Sequence, residues 1–117
     1  MIRKKVKDQV YVVIVISAKT GNVFNIRITP SRIDKTVSEI VGGNKRIVTV
    51  KDLLHQHLCA ISFSVNEGNA KNDTASRLAG FDIYGDAVVT KLNIFGESNA
   101  VSLKTAEEIT KGICYGI

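Results

Sequence analysis

The chain has 117 residues, 44% hydrophobic and 23% charged, with a formal net charge of +5. These values exclude a disordered chain and fit one ordinary domain with one core, 1–117, in which residues 1–8 form a basic tail. No apolar run approaches the roughly 18 residues that span a bilayer, so no membrane partner is expected.

The opening "MIRKKVKDQV" is basic like the start of a signal peptide. The apolar segment "VYVVIVISA" (10–18) nevertheless ends at a turn and runs on into another β-like stretch, so a structural strand and a cytoplasmic location are expected. "QVYVVIVISA" (9–18) is β-branched and apolar on both faces, which predicts a central strand covered on both sides. "KTGN" supplies a turn through Gly21 and Asn22. "VFNIRI" (23–28) then alternates as a hairpin partner, with Phe24, Ile26 and Ile28 inward or the register shifted by one.

"TPSRIDKTVSEIVGG" carries helix signals: Thr29 as N-cap, Pro30 at the first helical position and Gly42 just beyond the end. Ile33, Val37, Ile40 and Val41 form one apolar stripe that must lie on the sheet, while Arg32, Lys35 and Glu39 face water. "KRIVTV" (45–50) and "LCAISFSV" (58–65) read as the third and fourth strands, joined by "KDLLHQH", a short helical turn or a bulged continuation. After a long polar loop, "DAVVTKL" (86–92) makes a fifth strand and "NIFGESNAV" turns the chain round. "TAEEITKGI" reads as a short helix with Thr105 as N-cap, Glu108 in a capping box, and Ile109 and Ile113 inward. Strands and helices do not alternate regularly. The expected fold class is therefore α+β, a mostly antiparallel sheet of about five strands with two helices packed on it.

Charge is uneven. Residues 1–51 hold 11 Lys or Arg against 3 acids, and residues 52–117 hold 5 against 8. Such asymmetry attracts phosphates, nucleic acid or an acidic protein surface. The competing reading is a solvated surface with a basic tail. It is favoured because Arg3, Lys4, Lys5, Lys7 and Lys19 fall in the tail or in a turn.

His55, His57 and Cys59 stand two apart, so on a strand they would share one face. A structural zinc site needs four ligands and no spacing motif supplies the fourth, which leaves a pair of half-exposed histidines as the better reading. There is no nucleophile elbow, and "GGNK" lacks the spacing of a phosphate-binding loop, so neither catalysis nor a metal or other cofactor is expected. Asp82 and Asp86 flank a turn, where capping is commoner than acid–base work. Cys59 and Cys114 lie among apolar neighbours and read as buried free thiols, with a disulfide as the alternative. The chain has no Trp, and Tyr11 and Tyr84 are the aromatics placed to present a ring. The first helix offers only Arg32 and Lys35 for duplex readout, which is weak.

The loop after the fourth strand is dense in charge and amide: Asn66, Glu67, Asn69, Lys71, Asn72, Asp73 and Arg77. Loops of about fifteen residues without structure of their own are uncommon unless functional or mobile. Arg77 is the first candidate for ligand binding, its fork directed at a carboxylate or phosphate, with Lys71, Asn66, Glu67, Tyr84 and Asp86 beside it. The alternative is that Arg77 pairs with Asp73 or Asp82 and orders the loop.

Four segments occur in an order and spacing that resemble a family: "VSEIVGG" (37–43), "NEGNAKNDTASRL" (66–78), "DIYGDAVVTKLN" (82–93) and "AVSLKTAEEI" (100–109). The chain resembles small proteins of phages, plasmids and integrative elements of Gram-positive bacteria, catalogued as a domain of unknown function. Val41, Gly42 and Gly43 match its helix end, Asn66 and Glu67 the opening of its loop, and Gly85 the glycine before its last strand. Arg77 matches an Asn-Arg pair in which Ser76 stands for the Asn, and "AKTGN" replaces the family's Pro-Gly turn. The resemblance implies a non-enzymatic accessory protein of a phage or mobile element, working in the host cytoplasm. The implied role is counter-defence, either an anti-CRISPR-type inhibitor that covers a host defence protein or a binder of a nucleotide-type small molecule. A nucleic-acid-associated accessory protein using the basic front half is the alternative. A homo-oligomer is compatible with either.

Overall fold

β-branched side chains crowd a helix but pack well on a pleated surface, and residues 11–16 have little else. In the computed structural model, which describes residues 10–65 and 69–116, this stretch is the inner strand β1 (Tyr11–Ile16). It pairs antiparallel with β2 (Val23–Ile28), setting Val13 opposite Ile26 and Val15 opposite Phe24. On its other edge, Ile14, Val15 and Ile16 pair with β5 (Ala87–Leu92). β5 pairs in turn with β4 (Cys59–Ser64), and β4 with β3 (Lys45–Thr49), giving the order β2-β1-β5-β4-β3. Two short strands complete the sheet. β6 (Ser98–Asn99) pairs with the end of β5, and β7 (Val101–Ser102) pairs with Tyr11 and Val12 at the start of β1.

Alternation along β1 divides the core into two. Val13 and Val15 meet Ile28, Val88, Val37 and Val41, under the helix α1 (Ile33–Val41) that carries the chain from one edge strand towards the other. Val12, Ile14 and Ile16 face the opposite layer, made of α2 (Asp73–Ala79) and α3 (Leu103–Tyr115), with Leu78, Ile83, Ile109 and Ile113 beneath them. Each fully buried branched side chain contributes about 1.5–3 kcal/mol. The core therefore lies on both faces of β1, as its sequence requires.

The α+β architecture with an antiparallel sheet matches the sequence reading, with differences in detail. Among the described residues there are three α-helices, because α2 occupies the polar loop. The first turn after Pro30 is a 3-10 turn (Pro30–Arg32), and Thr29 makes no side-chain cap. α3 starts earlier than expected: Ser102 is its N-cap, its hydroxyl accepting from the Thr105 amide at 3.2 Å, so Thr105 is not the cap. Glu108 turns to His57 instead of closing a capping box. "KDLLHQH" is neither helix nor bulge but holds a two-residue hairpin turn in which Leu54 and His57 exchange both backbone hydrogen bonds at 2.9 Å. Both cysteines are free, yet only Cys59 is buried; Cys114 is exposed on α3. The basic tail, Asn66 and Glu67 lie outside the described residues. None of the described helices is long and apolar enough to cross a membrane.

Candidate functional site

Asn72 organises the end of the sheet where β1 stops and β5 begins. It is 1% exposed, and its amide nitrogen donates to the carbonyls of Ile16 at 2.9 Å and Gly85 at 3.0 Å. Its side-chain oxygen accepts from the Ala75 amide at 3.1 Å, which makes it the N-cap of α2. Backbone bonds from Asn72 to Ile83 and from Gly85 to Ala70, both 2.7 Å, run the 70–72 and 83–85 segments antiparallel, with Lys71 bridged to Tyr84. Ser76, buried in α2, accepts from the Ile83 amide at 2.7 Å. Gly85 has φ 83°, a conformation that calls for glycine, and a Cβ there would stand 2.8 Å from the Asn69 amide nitrogen and displace that side chain. The polar stretch is a built unit and not a bare connection.

The β1–β2 turn is fastened to this unit. Asp86 accepts from the Ala18 amide at 3.0 Å, across 68 residues of sequence. Within the turn, Ser17, Thr20, Gly21 and Asn22 donate their amides to turn acceptors. The Lys19 amide has no partner among the described residues. Two recesses open on either side of residues 17–20. The larger, about 460 Å³, has Ile40 and Val41 from the end of α1 on one wall and Asn69, Ala70, Gly85 and Asp86 on another. The smaller, about 260 Å³, is bordered by Lys71, Asn72, Asp73 and Thr74. Lys19 and Thr20 line both.

The expected site residues separate into groups. Asp86 lines the larger recess and Lys71 the smaller. Lys71 also pairs with Asp82 at 3.2 Å, and the hydrogen bond it donates to that carboxylate, reinforced by the carboxylate's charge, raises the exposed ammonium above the usual lysine range. Tyr84 is bridged to Lys71 through the backbone but lines a separate small hollow with Phe63, Val65 and Asp82. Arg77 is elsewhere. Its guanidinium donates to the Ile113 carbonyl at 2.9 Å, satisfying a last-turn oxygen of α3 that no helical amide reaches. That bond ties α2 to α3, and it replaces the expected pairing with Asp73 or Asp82. Asp82 and Asp86 have separate partners, Lys71 and Ala18.

Sequence reading did not single out Ser17, Lys19, Thr20, Ile40 or Asn69 for the site. The only signal was the dense polar loop, because the partners come from turns and helix ends remote in sequence. Other candidate chemistry is absorbed structurally. His57 Nε2 lies 2.8 Å from Glu108 Oε1, and this hydrogen bond holds the glutamate carboxyl below its usual value. Burial pushes the Cys59 thiol up to about 12, against a smaller lowering by Lys91, so it stays protonated at neutral pH. Among the described residues, no group of three or more His, Cys, Asp or Glu could hold a metal ion. The described cations of the front half are dispersed, with Arg27 on one edge strand and Lys45 and Arg46 on the other.

No family model and no curated protein matches the sequence. Among solved structures, the chain is similar to the crystal structure of the small RNA methyltransferase HEN1, at 16% identity and a TM-score of 0.60. The likeness covers 92% of this chain and 17% of that one. At this identity it is a likeness of fold alone.

Proposed function

We propose that this is a non-enzymatic binding protein, an accessory factor of a phage or mobile element acting in counter-defence in the host cytoplasm, and that its ligand is a nucleotide-type small molecule. The setting rests on the family resemblance of segments 37–43, 66–78, 82–93 and 100–109. The ligand class rests on one observation, the convergence of residues 17–20, 69–74 and 85–86 around the recesses beside Lys19. A volume near 460 Å³ lies within the range of small-molecule sites. Ile40 and Val41 offer an apolar wall for a ring. Lys19, its unpartnered amide, the Thr20 hydroxyl and Lys71 offer donors for a phosphate on the other side. Asp86 is occupied by Ala18 and acts as the strut of the turn.

Thermal unfolding of the purified protein with cyclic and linear nucleotides, ADP-ribose derivatives and short oligonucleotides tests this reading. A ligand held only by the folded state raises Tm by mass action. The expected result is a rise with one nucleotide class that disappears in Lys19→Ala and persists in Arg77→Ala, which lowers Tm without touching the recess. Absence of a rise with every nucleotide at millimolar concentration would overturn the small-molecule reading. A rise only with oligonucleotides, falling steeply with salt, would support the nucleic-acid alternative.

A further inference from the structure

The sheet ends at β3, which among the described residues pairs only with β4. Its hydrogen-bond phase is fixed at both ends: the Val50 amide donates to the Cys59 carbonyl, and the Val65 amide to the Asn44 carbonyl. Residues 44, 46, 48 and 50 therefore turn their backbone groups towards β4. Lys45, Ile47 and Thr49 turn theirs outward, leaving three N–H and three C=O groups along an open edge. Ile47, in the middle, is 48% exposed. Lys45 lies beside it on the α1 side, Arg46 projects on the other face, and exposed Lys51 follows the strand.

We infer that this edge receives an extended acidic segment of a partner protein by strand addition. Backbone pairing to Lys45, Ile47 and Thr49 would supply the affinity. Ile47 would cover an apolar residue of the incoming strand, and Lys45, Arg46 and Lys51 would select flanking carboxylates. Charge decides against a second copy as the occupant. Antiparallel self-pairing centred on Ile47 satisfies the same backbone groups, but it places the two Arg46 guanidiniums diagonally on one face, where like charges repel. The opposite edge, β2, turns out Val23, Asn25 and Arg27 and carries a single cation. It lacks the same selectivity.

The test is a titration of the isotope-labelled full chain with a peptide of about eight residues alternating Glu and Val, and with a Lys/Val counterpart, followed by amide shifts and hydrogen exchange. The acidic peptide is expected to shift and protect the amides of Lys45, Ile47 and Thr49, while the basic peptide does not. Lys45→Glu with Arg46→Glu, both on the exposed strand, is expected to weaken acidic-peptide binding about tenfold and to admit the basic one. Ile47→Pro removes only an outward N–H, so it is expected to abolish binding while the β3–β4 ladder persists. Unmoved edge amides, or binding indifferent to the charge reversal, would overturn the inference. So would edge amides protected in the peptide-free protein in proportion to its concentration, since that identifies a second copy.

Discussion

Two junctions in the layer of α2 and α3 place their adapted residues on opposite partners, one in the loop and one on the helix. In the 69–86 segment the adapted residues sit in the loop itself: Gly85 takes φ 83° beside the Asn69 side chain, and buried Asn72 donates to the Ile16 and Gly85 carbonyls at the end of the sheet. In the 54–57 turn the adapted residue is on the helix. A Cβ on Gly112 of α3 would stand 2.8 Å from the His55 amide nitrogen and 2.9 Å from Leu54 backbone atoms. The turn itself holds two ordinary residues, His55 at φ 50° and Gln56 at φ 71°, in the left-handed region that usually favours glycine or asparagine. The first junction is held by its own hydrogen bonds. The second is closed by the Leu54–His57 backbone pair and is held in addition by what packs on it, including the His57–Glu108 contact one helical turn from Gly112.

The largest expected effect breaks the first junction. Asn72→Ala removes an N-cap and leaves the Ile16 and Gly85 carbonyls buried without their donor, so a loss of about 3 kcal/mol or more is expected in urea unfolding. A loss below about 1 kcal/mol would mean that water replaces the amide and that the loop is not built around it.

Next comes Gly112→Ala, which pushes a methyl group into rigid backbone instead of a flexible side chain. A loss of about 1–3 kcal/mol is expected, accompanied by shifts of the His55 and Gln56 amides. Unchanged stability would show that the turn can lift off α3, and the contrast between the junctions would then disappear.

The smallest effect sharpens the contrast through pH. The Glu108 carboxyl is lowered in the folded protein by the hydrogen bond from His57, so the pair's contribution is complete above the ordinary value of 4.5 and is lost as pH falls through the lowered one. Wild type is expected to exceed His57→Ala in stability at pH 6, and the difference is expected to shrink in the acid range below 4.5. The difference stays small because the carboxylate is one-third exposed. A gap that stays constant into acid would assign the effect of His57 to packing.

Local pattern settled much of this protein. The double-sided apolar run at 11–16 determined an inner strand, and the stripe Ile33, Val37, Ile40 and Val41 determined which face of α1 meets the sheet, because burial follows the period of the backbone. α2 escaped notice because its seven residues span two turns, and its buried members, Ala75, Ser76 and Leu78, show no clear apolar period. Ser102 was hidden as a cap because Thr105 offers the same chemistry three residues on. Gly85 stood out in the sequence as the glycine before the fifth strand, but its φ of 83° and the approach of the Asn69 side chain could not be read there. Tertiary structure alone decided the candidate site. Lys19, Asn69 and Asp86 come from a turn, a loop and a strand entrance, and only the antiparallel pairing of β1 with β5 and the bond from Ala18 to Asp86 bring them to one end of the sheet. The same closure took Arg77 away from that end, because the last-turn carbonyl of Ile113 lacks a helical donor and the guanidinium of the neighbouring helix was within reach.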